Sequence, residues 1–71
     1  MIPLKDTTRD EVENAIEQYI IGKHGERDRY ILRRKLIDGA TAEVIAEEVE
    51  LTPRHVYRIL YKRYEQLIGK I

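Results

Sequence analysis

The apolar residues of this chain recur at spacings of three and four between well-marked stops, and no segment reads as a strand. That pattern confines the fold to packed helices, because a period near 3.6 places positions i, i+3, i+4 and i+7 on one face. The first predicted segment, 8–22, opens at Thr8 with Glu11 three residues on, the spacing at which a hydroxyl and a carboxylate satisfy the orphan amides of a first turn. Val12, Ala15, Ile16, Tyr19 and Ile20 then form one stripe, Asp10, Glu11 and Glu13 suit the positive end of the helix dipole, and Gly22 supplies a stop. A second segment, 26–38, buries Leu32 and Leu36 with parts of Tyr30, Ile31 and Ile37, leaves Arg29, Arg33, Arg34 and Lys35 in water, and closes at Gly39. Thr41 caps a short third segment, 42–49, whose inner side is Ala42, Ile45, Ala46 and Val49. Thr52 followed by Pro53 starts the fourth, 53–67, with Val56, Ile59, Leu60, Leu67 and Ile68 inward.

Length decides how these segments combine. Seventy-one residues make a single domain, 1–71, consisting of a tail at 1–7, an N-terminal helix at 8–22 and a core at 26–68. A chain this short buries only about 60% of its unfolded surface, so each apolar position counts. It has no cysteine, hence no disulfide, thiolate metal site or cysteine nucleophile. His24 and His55 lack any metal-ligand spacing, and no Ser-His-Asp set, glycine-rich phosphate loop or paired carboxylates in a cleft occurs, so neither a metal, a cofactor nor catalysis is expected. Apolar runs are too short for a membrane span or a secretion signal, so the expectation is a soluble, cytoplasmic protein. Tyr19, Tyr30 and Tyr64 are assigned to the core or its rim, since the chain has no Phe or Trp to fill space.

The formal net charge of zero conceals blocks of alternating sign. Residues 1–22 set two cations against five carboxylates, and 23–38 set six against three. Residues 39–50 hold four glutamates and no cation, while 51–71 set five cations against Glu65 alone. A partner meets one face and not the sum, so a polyanion remains an admissible partner.

Segments three and four have the composition of a helix–turn–helix. Two short helices crossing over a tight turn need a small residue where their backbones approach, with apolar residues around it. Ala46 is that small residue, Ile45 and Val49 flank it, Leu51 plugs the turn, and Val56 and Ile59 seal the second helix. The stretch 29–67, through "KLIDG", "ATAEVIAEEV" and "LTPRHVYRIL", resembles the fourth region of bacterial sigma factors and the small sigma-like regulators of phage and mobile elements. About half the chain carries the resemblance. Glu50 departs from it, standing where the family usually has glycine, and a left-handed glutamate there costs on the order of 1 kcal/mol.

The resemblance implies an all-α fold, a four-helix bundle with a C-terminal helix–turn–helix, and sequence-selective binding of double-stranded DNA by a small transcriptional regulator, with the fourth helix in the major groove. The residues of that helix support the same reading independently. Arg54, Arg58 and Lys62 climb one side at four-residue intervals, Tyr57 and Tyr61 lie beside them, and Thr52 and His55 stand at the leading end. Arginine grips guanine O6 and N7 in a bidentate fashion, and hydroxyl groups reach phosphates. Arg54, His55 and Arg58 are therefore the candidates for base reading, and Tyr57, Tyr61 and Lys62 for the backbone. Thr41, at another helix start, and Arg33 and Arg34 complete the candidate DNA-contacting set. The rival reading of Arg33 and Arg34 is pairing with the glutamates of the third segment, and that of Tyr57 and Tyr61 is a dimer surface. One motif grips half a site, so a homodimer or a larger assembly is expected, with the first helix and the apolar tail residues Ile2 and Leu4 as candidate surfaces. The alternative function is a protein-interaction module that docks RNA polymerase or another regulator through Glu43, Glu47, Glu48 and Glu50 without touching DNA.

Overall fold

Three of the four helices begin where a threonine hydroxyl replaces a missing backbone partner. A computed structural model of the chain describes residues 8–69, and these form α1 (Arg9–Tyr19), α2 (Gly25–Leu36), α3 (Ala42–Val49) and α4 (Pro53–Ile68), with no strand among them. The Thr8 hydroxyl oxygen accepts from the Glu11 amide at 3.2 Å and donates to the Glu11 carboxylate, Thr41 accepts from Val44 at 3.3 Å, and Thr52 accepts from His55 at 3.2 Å. Such a cap is worth about 1 kcal/mol. α2 is the exception: His24 precedes it with no side-chain cap. The expected tail at 1–7, with Ile2 and Leu4 as a candidate surface, lies outside the described residues.

The helix ends differ from expectation in an informative way. α1 stops at Tyr19, short of the Gly22 the stripe suggested, because Ile20 (φ −94°, ψ 87°) leaves the helical region and turns fully into the core. The carbonyls freed there are taken by side chains: Arg29 Nη1 donates to Ile20 O at 2.7 Å, and Arg63 Nη2 donates to Ile21 O at 3.1 Å. α2 ends at Leu36, two residues early, since the Asp38 and Ala40 amides fold back onto the carbonyls of Arg33 and Arg34 around Gly39, whose φ of 74° an L side chain rarely adopts. The turn between α3 and α4 holds Glu50 in the left-handed region (φ 58°, ψ 41°), and the Leu51 amide closes it on Ala46 O at 2.9 Å.

One core joins all four elements. Ile16 and Ile20 from the first helix and its exit, Ile31 and Leu32 from α2, Ile45 from α3, and Val56, Leu60 and Leu67 from α4 are sealed from water. Each such side chain contributes about 1.5–3 kcal/mol on leaving water. α4 packs on each of the other three helices, whereas α1 and α3 do not touch. The radius of gyration, 11.2 Å, is the value of about 11 Å that a compact chain of this length should have. Ala46, Ile45, Val56 and Ile59 are buried and Val49 and Leu51 partly so, which is where the turn chemistry put them.

Three expectations need correction. Ile68 is not inward but half exposed, because one residue past Leu67 it is turned about 100° away from the buried stripe of Val56, Leu60 and Leu67. Tyr30 faces outward and donates its hydroxyl to Glu48 Oε1 at 3.0 Å. Arg29, Arg33, Arg34 and Lys35 are not wet but half-buried, and Arg29 lies against the end of α1, where it serves as the side-chain cap just described. Tyr64 is buried and Tyr19 half-buried, as expected of space-filling aromatics.

Candidate functional site

Charge pairing divides the arginines into two populations. On α2, Arg33 forms an ion pair with Glu17 of α1, and Arg34 clamps Glu48 of α3 in a bidentate grip (Nε to Oε1 2.9 Å, Nη2 to Oε2 3.0 Å) while reaching Asp38 at 3.2 Å. The two hydrogen bonds from Arg34 hold the Glu48 carboxyl below the usual carboxylate range, and Glu48 in turn, with Asp38, raises the Arg34 guanidinium further above its ordinary value. The Tyr30 hydroxyl, bonded to the same glutamate, is pushed up. Arg33 and Arg34 are thus joined to acidic side chains of neighbouring helices, and neither is set apart from the fold as a free phosphate-reaching group.

On the outer face of α4 the situation is reversed. Arg54, Arg58, Lys62, His55, Tyr57 and Tyr61 are all exposed, and their side chains make no ion pair or hydrogen bond among the described residues. At about 100° per residue, Tyr57 and Tyr61 occupy one flank of this outer face, Arg54 its middle, and Arg58, Lys62 and His55 the other flank. Arg54 to Lys62 spans about 12 Å of helix at 1.5 Å per residue. Thr52 and Thr41 sit at the N-termini of α4 and α3 with their hydroxyls engaged by their own first turns.

The flank carrying Arg58, Lys62 and His55 is one wall of a cleft. The opposite wall is the link between α1 and α2, with Lys23 and His24, and Arg27 from the first turn of α2, and the floor is Ile59, Asp28 and Arg63. Asp28 is the one buried charged residue among those described, 4% exposed. Its Oδ1 takes Arg27 (3.0 and 3.1 Å) and its Oδ2 takes Arg63 at 2.8 Å, so a single carboxylate fixes two guanidinium groups from different helices. Arg63 also donates to Gln66 Oε1 at 3.0 Å.

The candidate residues legible in sequence are therefore brought together on α4 (Thr52, Arg54, His55, Tyr57, Arg58, Tyr61 and Lys62), while Thr41, Arg33 and Arg34 belong to other surfaces. The cleft's Lys23, His24, Arg27, Asp28 and Arg63 escaped sequence reasoning. A signal for two of them was present: Asp28 lies in the inward stripe of α2 with Ile31 and Leu32, and Arg63 stands at the edge of the α4 stripe, so a buried charge and its partner were both displayed. The four carboxylates of 39–50 divide as well, with Glu43, Glu47 and Glu50 exposed and Glu48 tied to α2.

No helix among the described residues is long and apolar enough to cross a membrane, and no group of three or more acidic, histidine or cysteine side chains is placed to hold a metal ion. Compared with models of protein families, with curated proteins and with solved structures, the chain matches none.

Proposed function

We propose that the protein is a small sigma-like regulator that binds double-stranded DNA sequence-selectively, α3 and α4 forming its helix–turn–helix and α4 entering the major groove. One observation carries the reading: Arg33 and Arg34 of α2 are engaged by carboxylates, whereas the row Arg54, Arg58 and Lys62 on α4 has no acidic partner among the described residues. Leaving three cations in one exposed row costs self-repulsion, and a polyanion removes it. A helix such as α4, about 10–12 Å across with its side chains, fits the major groove, about 12 Å wide. We assign base reading to Arg54, at the leading end, with His55 and Arg58 beside it. Tyr57 and Tyr61 on one flank and Lys62 on the other straddle it, as phosphate contacts on two strands would require. Thr52 caps the N-terminus of α4, an end that favours a phosphate.

Selection of bound duplexes from a random pool tests the reading directly. Micromolar protein at low salt should shift random duplex, enrich a consensus, and lose affinity with a log–log salt slope of about −4 to −5 for four to six phosphate contacts. Absence of any shift refutes it and favours the alternative: docking of a basic protein surface such as one on RNA polymerase, which the exposed Glu43 and Glu47 of α3 would serve. Because one such motif covers half a site, the bound species should be a homodimer or part of a larger assembly, which light scattering on the complex resolves.

A further inference from the structure

The cleft between α4 and the α1–α2 link gathers cations from outside the row on α4. Its volume is about 270 Å³, just below the range of roughly 300–1,000 Å³ typical of small-molecule sites. That is room for a phosphate group and its ester link, not for an enclosed nucleotide. Its two walls converge with Lys23, His24 and Arg27 on one side and His55, Arg58 and Lys62 on the other. Five lining side chains carry a permanent positive charge and one, Asp28, a negative charge. Asp28 is consumed by Arg27 and Arg63 at the floor, so Lys23, Arg58 and Lys62 face the opening with no carboxylate among the described residues to answer them.

We infer that this cleft is a phosphate-binding site, in which the ammonium groups of Lys23 and Lys62 converge on one phosphate, with Asp28 as the positioning residue that holds the guanidinium groups of Arg27 and Arg63 beneath it. Cations held in a concave site focus potential more strongly than the same charges on a convex helix. Planar guanidinium forks suit phosphate oxygens, and ammonium groups add point charge. The phosphate is a backbone phosphate of the duplex seated on α4, the part of this inference that rests on the DNA-binding reading. In that position Lys23, His24 and Arg27 add a second grip from outside the helix–turn–helix, and the α1–α2 link becomes part of the nucleic-acid surface. A free phosphate ester offers the same chemistry from another source.

Two measurements on the full chain separate these. Inorganic phosphate titrated into isotope-labelled protein, at constant ionic strength against chloride, should move the amide resonances of residues 23–27 and 55–62 in a saturable way, and Lys23→Ala should weaken that response several-fold. In duplex titrations, Lys23→Ala should weaken every sequence alike and flatten the log–log salt slope by about 0.9, one phosphate contact, whereas Arg54→Ala should change the preferred base. Saturable phosphate shifts with duplex binding indifferent to Lys23 keep the site and assign it to a free ester. Saturable shifts with no duplex binding at all overturn the regulator reading and leave the cleft standing. No saturable shift, together with duplex binding that ignores Lys23, overturns the inference whatever Arg54→Ala does.

Discussion

Replacing Asp28 by asparagine keeps the shape of the side chain and removes the charge that two arginines share. In the native fold the carboxylate is 4% exposed and accepts from Arg27 at 3.0 and 3.1 Å and from Arg63 at 2.8 Å. Removing one member of a buried ion pair costs about 3–5 kcal/mol, because the other charge is left uncompensated. Here the penalty is softened. The Arg63 side chain is 15% exposed and keeps Ile21 O and Gln66 as acceptors, and Arg27, at 29%, reaches water. A cost of about 2–3 kcal/mol results, against a total of about 4–10 kcal/mol for a chain of this size. At about 4–8 °C per kcal/mol, Tm should fall by roughly 10–20 °C. Urea unfolding followed by helical circular dichroism reads the same quantity as a lowered midpoint with an unchanged m-value. The paired replacement Asp28→Leu with Arg63→Met should restore much of the loss, since a well-packed apolar pair replaces a buried ion pair at little cost. An Asp28→Asn variant within about 0.5 kcal/mol of the parent, the scatter of ordinary surface substitutions, would falsify the argument that this carboxylate organises the fold.

Other outcomes follow from single residues. Glu50→Gly should raise stability by about 0.5–1 kcal/mol in the same urea assay, because glycine adopts the left-handed turn without strain and gives back part of the gain in unfolded-state entropy; no gain would mean Glu50 is not strained. The Glu48 carboxyl is depressed in the folded state, so its contribution is complete above the ordinary carboxylate range near 4.3 and is lost as pH falls through the folded value. Parent and Glu48→Gln should therefore differ in Tm at neutral pH and converge in acid, and a difference that persists there would remove the Arg34–Glu48 pair from the account. The Tyr30 hydroxyl is raised, mainly by its bond to Glu48, so its contribution is complete below pH ~10 and disappears as alkaline pH passes the folded value; Tyr64, raised by burial, adds to the same alkaline loss, so Tyr30→Phe should shrink that step in a Tm-against-pH series without removing it. Arg58→Ala should cost duplex affinity by about 1–3 kcal/mol and relax choice at one base pair in a selection experiment, with the folded content unchanged; full affinity would dissociate α4 from groove contact.

The elements themselves were readable because three of the four helix starts have a local chemical cause. Thr8, Thr41 and Thr52 act within three residues of their own position, and the apolar stripes act within a turn or two. What local rules missed has non-local causes. The early end of α1 depends on Arg29 and Arg63, nine and forty-two residues from the carbonyls they take. The outward turn of Tyr30 depends on Glu48, eighteen residues away. The α4 face was legible as a row of cations, since helical spacing alone arranges it. The cleft was not, because only the return of α4 onto the α1–α2 link brings Lys23, His24 and Arg27 opposite it.

The two guanidinium groups that hold the Ile20 and Ile21 carbonyls come from α2 and α4. The exit of the first helix is therefore fastened to the final helix, at opposite ends of the described chain. Fraying inward from either terminus must break the same clasp, so the outer helices should open as one cooperative unit, with amide hydrogens in the last turn of α1 exchanging no faster than those around Arg63.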